Sequence, residues 1–166
     1  GSAAMVLRMF SPVVAVRYRL APEHPWPAAI EDALAVYREL LRTHRPREIG
    51  VYGTSAGAVM VPQLIARLKR EGLPLPAFVG VFSVDTDLAR AGDSLSWPGI
   101  APGISYPAIL GATAPSDPAA SASWGSLADF PPTLCMTSTR DFFLSGTVNF
   151  CRQLDLAGVE TKLVVF

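Results

Sequence analysis

The feature that most limits how this chain can fold is the pentapeptide Gly53-Thr54-Ser55-Ala56-Gly57, which lies between a strand-like and a helix-like run. A strand that passes directly into a helix through such a segment makes a very tight turn. Residues two before and two after the serine approach each other there, so we expect that a Cβ atom at Gly53 or Gly57 would clash. The turn would hold the Ser55 hydroxyl clear of the backbone, where it can act as a nucleophile.

A serine in such a turn also lies beside a helix N-terminus, where the first backbone N–H groups have no partner within the helix. The N–H of Ala56 would point into the same space as the Ser55 hydroxyl, and it can stabilise a negatively charged oxygen. The alternative is a tight glycine turn that carries an inert serine. The pattern around the pentapeptide has to decide between the two.

Apolar patterns on both sides of this turn predict strands that alternate with helices. The predicted strands are 13–16, 49–52, 78–82, 133–137 and 161–166. The predicted helices are about 29–41, 55–70 and 145–156. Strands that alternate with helices indicate parallel βαβ units, and hence an α/β three-layer sandwich with a mostly parallel sheet.

Length and composition fit one globular domain over residues 1–166. Of these residues 50% are hydrophobic and 17% are charged, which is typical of a folded core and not of a disordered chain. The formal net charge is zero, so we do not expect a nucleic-acid partner. Residues 87–124 are rich in glycine, proline, serine and alanine. We interpret them as a cap or pocket-lining excursion from the sheet, with one or two short helices.

Cysteine use and hydropathy exclude further classes. Cys135 and Cys151 are too few for a disulfide scaffold and lie in apolar runs without metal-ligand spacing, so we expect buried thiols, no metal and no cofactor. No stretch approaches the ~20 apolar residues of a membrane-spanning helix. No signal peptide is visible, so we expect a cytoplasmic protein without a transmembrane segment.

A longer match gives the pentapeptide its context. It begins in the proline-rich segment Tyr18-Arg19-Leu20-Ala21-Pro22-Glu23-His24-Pro25-Trp26-Pro27-Ala28-Ala29 and continues in Glu31-Asp32-Ala33, 72–76, Asp117-Pro118 followed by Ser121, and 131–133. These segments resemble, in the same order and over nearly the whole chain, the sequence of hormone-sensitive-lipase-like carboxylesterases, which have the α/β-hydrolase fold. Departures from residues that are common in the family lie around the site, at Arg17, Thr54 and Ala58.

The resemblance implies a serine esterase with Ser55 as nucleophile and Asp141 as the acid, because Thr139-Arg140-Asp141 is similar to the family's acid motif. The position of Asp141 agrees, since it lies just past a predicted strand, at the edge where parallel sheets gather their active sites. An ordinary loop carboxylate is the alternative. Asp85 and Asp87 follow another strand and compete for the role, and we interpret Asp87 as structural.

The general base of such a triad is a histidine that follows the acid. The two histidines of this chain, His24 and His44, both precede Ser55. We expect His24 to pack or hydrogen-bond within the signature and His44 to be solvated. In the resembling family the histidine follows a strand similar to 161–166, and an upstream His-Gly-Gly-Gly loop completes the oxyanion hole. We therefore expect a fragment of a longer esterase, with early strands and the histidine segment absent and strand edges unpaired.

The function predicted first is a serine carboxylesterase that hydrolyses small to medium acyl esters through a covalent acyl-enzyme. Leu95, Trp97, Ile100 and Tyr106 are candidates for lining its substrate pocket, and ordinary packing of a loop is the alternative. The resemblance leaves amidase or lactonase activity and a homodimer open. The alternative function is a hydrolase-like binding domain without its general base. A nucleotide-binding domain is disfavoured, because no G-x-G-x-x-G follows the first predicted strand.

Overall fold

A computed structural model describes residues 12–90, 92–97 and 106–166. Strands and helices alternate along this part of the chain, as the sequence predicted. The strands are β1 (Gly50–Thr54), β2 (Phe78–Phe82), β3 (Thr133–Thr137) and β4 (Thr161–Val165). The α-helices are α1 (Ala28–Leu40), α2 (Ala56–Arg70), α3 (Tyr106–Leu110) and α4 (Leu144–Leu156).

The strands form one sheet in the order β1-β2-β3-β4, and every neighbouring pair is parallel. The register brings the carboxyl ends of the strands to one edge, because Thr54 lies opposite Phe82 and Phe82 lies opposite Met136. The residues that follow β1, β2 and β3 therefore meet at the edge where parallel sheets place their functional groups.

One apolar core joins the sheet to three of the helices. Helix α2 contacts β1 and β2, α4 contacts β3 and β4, and α1 packs on α2. The apolar residues of α2 and α4 recur at three- and four-residue steps, so each helix turns one face to the sheet. The most deeply buried members of this core are Ala58, Ile65, Leu68, Val79, Val81, Val84, Cys135, Phe150 and Leu154. This packing fixes the ends of β1, β2 and β3 relative to one another.

The strand predicted at 13–16 is wrong. Residues 12–20 form neither helix nor strand, and Val14 is 55% exposed. A β-branched run becomes a strand only when a neighbouring strand pairs with its backbone, and no strand of the described sheet pairs with this run. The adjoining signature is instead held by Arg19, whose backbone N–H and guanidinium donate to the Asp32 carboxylate at 2.8 to 3.1 Å.

The excursion predicted at 87–124 carries short helices, as expected. Besides α3, it contains 3₁₀ turns at Asp93–Ser96 and Ala122–Trp124. It has a small apolar cluster of its own, made of Leu88, Leu110 and Ala120 with Trp26, Val59 and Tyr106 packed against it. The side-chain amide of Gln63 donates to the carbonyl of Ala120 and attaches the excursion to α2.

Both cysteines are free thiols and buried, as predicted. Burial raises the pKa of the Cys135 thiol, and the neighbouring Cys151 raises it further. Within 12–90, 92–97 and 106–166, no helix has the length and apolar character that crossing a membrane requires. The same residues contain no cluster of three side chains suited to hold a metal ion.

Candidate active site

Ser55 stands between β1 and α2 in a strained backbone conformation. Its φ of 54° and ψ of −122° lie in a region that residues with a Cβ atom rarely adopt. The surrounding backbone holds it there, because the Ser55 N–H donates to the Phe82 carbonyl at 3.0 Å and the Ser55 carbonyl accepts from Ala58 at 2.8 Å. Such strain persists where neighbouring structure over-determines a residue, and it concentrates at functional sites.

The two glycines of the pentapeptide have different roles. A Cβ atom on Gly53 would lie 2.2 Å from the carbonyl oxygen of Gly57 and 2.6 Å from the nitrogen of Ala58, so β1 can turn into α2 only with glycine at position 53. A Cβ atom on Gly57 would meet no described atom within 4 Å. The expectation that a side chain at either position would clash is therefore confirmed for Gly53 and wrong for Gly57.

The outer side of this turn is open. Thr54, Ser55 and Ala56 are exposed. Ala56 is the first residue of α2, and its N–H makes no backbone hydrogen bond to the described residues. A free N–H at the positive end of a 15-residue helix is suited to a negatively charged oxygen beside Ser55.

Asp141 follows β3 and is held by three donors from three segments. Its Oδ1 accepts from the Ser83 hydroxyl at 2.9 Å and from the Phe143 N–H at 2.9 Å. Its Oδ2 accepts from the Thr137 hydroxyl at 2.7 Å. The carboxylate is half-buried and has one defined orientation, which an ordinary solvent-facing loop carboxylate lacks.

The structure brings Ser55 and Asp141 to the same sheet edge, with β2 between them. Ser55 donates to the last residue of β2, and the next residue, Ser83, donates to Asp141. Ser83 and Thr137 were not singled out from the sequence. Their only sequence signal is a hydroxyl residue at or just past the end of a strand, which is too common to identify a partner of Asp141.

The competing carboxylates have other environments. Asp87 accepts from the Trp124 indole N–H at 2.8 Å and from the N–H groups of Ala89 and Arg90, which agrees with a structural role. Asp85 is 2% exposed, and its Oδ2 has no partner among the described residues. Burial, with a contribution from the charge of Asp87, raises the pKa of Asp85 to about 6.

Neither histidine makes a hydrogen bond to Ser55 or Asp141 in the described structure. His24 is exposed and its ring makes no hydrogen bond to a described residue, but its backbone N–H donates to the Leu20 carbonyl at 2.9 Å. The expectation that His24 hydrogen-bonds within the signature is therefore confirmed for its backbone. His44 is exposed, as expected, and its Nδ1 lies 2.8 Å from the Thr43 hydroxyl oxygen.

The candidate pocket residues come from the excursion. Leu95 and Tyr106 are half-buried and Trp97 is 37% exposed. Burial raises the pKa of Tyr106 to about 12, and the charge of Asp85 adds to the effect. Residues 98–105, which include Ile100, lie outside the described residues. A pocket lined by these side chains stays a prediction.

Known proteins share this sequence pattern. The family model described as alpha/beta hydrolase fold matches residues 3–166. The chain is 29% identical to an esterase of Acinetobacter venetianus over 165 residues, and this alignment covers 93% of this chain and 54% of that protein. It is 35% identical to an acetyl-hydrolase of Streptomyces hygroscopicus over 138 residues, and this alignment covers 78% of this chain and 46% of that protein.

Solved structures share the fold. An esterase/lipase from an uncultured bacterium is similar with a TM-score of 0.84 and 30% identity, over 90% of this chain and 53% of that one. An esterase from the bacterial hormone-sensitive lipase family is similar with a TM-score of 0.81 and 31% identity, over 90% and 54% of the two chains. The predicted α/β-hydrolase fold and the resemblance to this esterase family are therefore confirmed. The chain spans about half the length of these relatives.

Proposed function

The chain belongs to the alpha/beta hydrolase fold family, and on that premise we propose that its protein is a serine carboxylesterase that hydrolyses small to medium acyl esters. The observation that carries the proposal is Ser55, an exposed serine with a φ of 54° between a strand and a helix N-terminus. A nucleophile of this type needs that backbone and that exposure. The similarity to an esterase and an acetyl-hydrolase supports the choice of an ester bond.

The proposed reaction has two halves. The Ser55 Oγ attacks the ester carbonyl carbon while its proton passes to the general base, which gives a tetrahedral intermediate with a negatively charged oxygen. The Ala56 N–H donates to that oxygen. The C–O bond to the alcohol then breaks, the base returns the proton to the alcohol, and the acyl group stays on Oγ. Water then attacks the acyl carbon while its proton passes to the same base, which gives a second tetrahedral intermediate. The bond between the acyl carbon and Oγ breaks, the base returns the proton to Oγ, and the acid and free Ser55 are released.

In this scheme Asp141 accepts an N–H of the basic imidazole and stabilises its protonated form. The three donors that hold Asp141 support this role, whereas the side chain of Asp87 is engaged by Trp124 and by its own turn. We propose a histidine other than His24 and His44 as the base, since both are exposed and hydrogen-bond to neither Ser55 nor Asp141. Leu95, Trp97 and Tyr106 are proposed to line the acyl pocket.

The competing function is a hydrolase-like domain that binds a ligand without hydrolysing it. Hydrolysis of p-nitrophenyl acetate and butyrate by the longest natural chain that contains this sequence separates the two functions. The esterase proposal predicts turnover in the wild type and a fall of roughly a thousandfold or more in Ser55→Ala. Wild-type protein that does not turn over either ester supports the binding domain. Equal turnover by the two proteins would remove Ser55 from the mechanism.

A further inference from the structure

Two non-glycine residues that directly follow neighbouring strands have a left-handed backbone. Ser55 follows β1 with a φ of 54°, and Ser83 follows β2 with a φ of 59°. A residue with a Cβ atom adopts such a φ at an energetic cost, and the conformation persists where the surrounding structure requires it. The conformation of Ser55 is explained by its proposed role as nucleophile. That role does not explain the positive φ of Ser83.

The backbone around Ser83 is fixed from two sides. The Ser83 N–H donates to the carbonyl of Met136 in β3 at 2.8 Å. The N–H of the next residue, Val84, donates to the Thr147 hydroxyl oxygen at 2.9 Å. Helix α4 also lies against this segment, since a Cβ atom on Gly146 would come within 2.8 Å of the Val84 carbonyl oxygen. The position of the Ser83 side chain is therefore set by β3 and α4.

That position places the Ser83 hydroxyl on Asp141. Its oxygen lies 2.9 Å from Asp141 Oδ1 and has no other hydrogen-bond partner among the described residues. An ionised carboxylate has about four acceptor positions. Ser83 and Phe143 occupy Oδ1, Thr137 occupies one position on Oδ2, and the remaining position on Oδ2 has no donor in the described structure.

We propose that Ser83 is a positioning residue that holds the Asp141 carboxylate so that the remaining Oδ2 position faces the N–H of the basic imidazole. This role rests on the proposed esterase function. Ser83 touches neither the substrate nor Ser55 in this scheme, and it acts through Asp141. Without its hydroxyl, Oδ1 keeps only the Phe143 N–H, and the carboxylate can rotate about its bond to Cβ. The imidazole then loses part of its orientation, which lowers the rate of the chemical step more than substrate binding.

Two substitutions separate positioning from stability. Ser83→Ala and Ser83→Gly both remove the hydroxyl, but glycine tolerates a φ of 59° far better than alanine. We expect both variants to lower kcat for p-nitrophenyl acetate by roughly tenfold or more, the loss expected for one hydrogen bond to a charged group, with KM within about twofold of wild type. We expect the glycine variant to melt at a higher temperature than the alanine variant.

Three results would overturn the assignment, and they are distinguishable. A kcat of Ser83→Ala within about twofold of an active wild type removes Ser83 from catalysis and leaves the esterase proposal intact. A loss of kcat in the alanine variant that the glycine variant recovers shows that Ser83 acts through stability alone. Wild-type protein without turnover, whose Ser55 also fails to react with a serine-directed phosphonate, contradicts the esterase function and the role of Ser83 together.

Discussion

Gly53 and Gly57 face each other across the turn that displays Ser55, and a Cβ atom on Gly53 would lie 2.2 Å from the Gly57 carbonyl oxygen. The turn requires glycine at position 53 but not at position 57, because a Cβ atom on Gly57 would meet no described atom within 4 Å. The tight turn therefore depends on one glycine of the pentapeptide. The second glycine occupies the second position of α2, where other residues fit.

This asymmetry predicts opposite effects of the same substitution. Gly53→Ala places a methyl group against backbone atoms that cannot move without opening the turn, so we expect a loss of at least about 1–3 kcal/mol in the free energy of unfolding and a large fall in esterase activity. Gly57→Ala is its matched control. Alanine favours the helix, so we expect unchanged or up to about 1 kcal/mol higher stability and retained activity. Urea unfolding measures the free energy of unfolding of both variants. An equal loss of stability in the two would contradict the difference between the Cβ positions of Gly53 and Gly57.

The Thr137 hydroxyl donates to Asp141 Oδ2 at 2.7 Å, and Thr137 is 5% exposed. Thr137→Val keeps the shape and the β-branching but removes this donor, so we expect kcat to fall by roughly tenfold or more at nearly unchanged KM. Thr137→Ser keeps the hydroxyl and loses one methyl group, at a cost of about 1 kcal/mol in stability. Steady-state kinetics should show near wild-type kcat for the serine variant. An equal kcat in the two variants would show that the hydrogen bond to Oδ2 is dispensable.

The buried carboxyl group of Asp85 should make the stability of the folded protein depend on pH. Burial raises its pKa from 3.8 to about 6, so the folded protein holds this proton more tightly than the unfolded chain does. Between these two values the unfolded chain loses the proton first, and stability falls as the pH rises. The fall approaches about 3 kcal/mol and is complete above about pH 6.

Asp85→Asn removes this titration and keeps an oxygen that can accept from the Asp87 N–H. We expect the variant to be more stable than wild type at pH 7 and the advantage to shrink towards pH 4. Thermal unfolding across this range measures the difference. A constant difference between the two proteins from pH 4 to pH 7 would contradict the raised pKa.

The sequence predicts the strands and helices that have a periodic apolar pattern, and the turn that requires a particular residue. The apolar run at 78–82 and the helical spacing from Val59 to Leu68 each carry several signals, and β2 and α2 lie where they were expected. The run at 13–16 has the same composition as a strand but no strand beside it. Strand formation depends on a partner that composition does not reveal.

The candidate site also contains residues that the sequence predicts and residues that it does not. Ser55 and Asp141 are predictable because a strand end and a sequence signature mark them. Ser83 is not predictable, because its partner lies 58 residues further along the chain and the contact depends on the register of β2 against β3. The pentapeptide treats Gly53 and Gly57 alike, and only the path of the backbone shows which of them the turn requires.

The central claim is that Ser55 carries the acyl group during turnover. Rapid mixing of the longest natural chain with p-nitrophenyl acetate, acid quenching and mass spectrometry of the peptide that contains Ser55 test it directly. We predict a burst of p-nitrophenol of about one equivalent and one acetyl group on Ser55, both absent in Ser55→Ala. Turnover without any acetylated Ser55, or an acetyl group on another residue that persists in Ser55→Ala, would contradict the account.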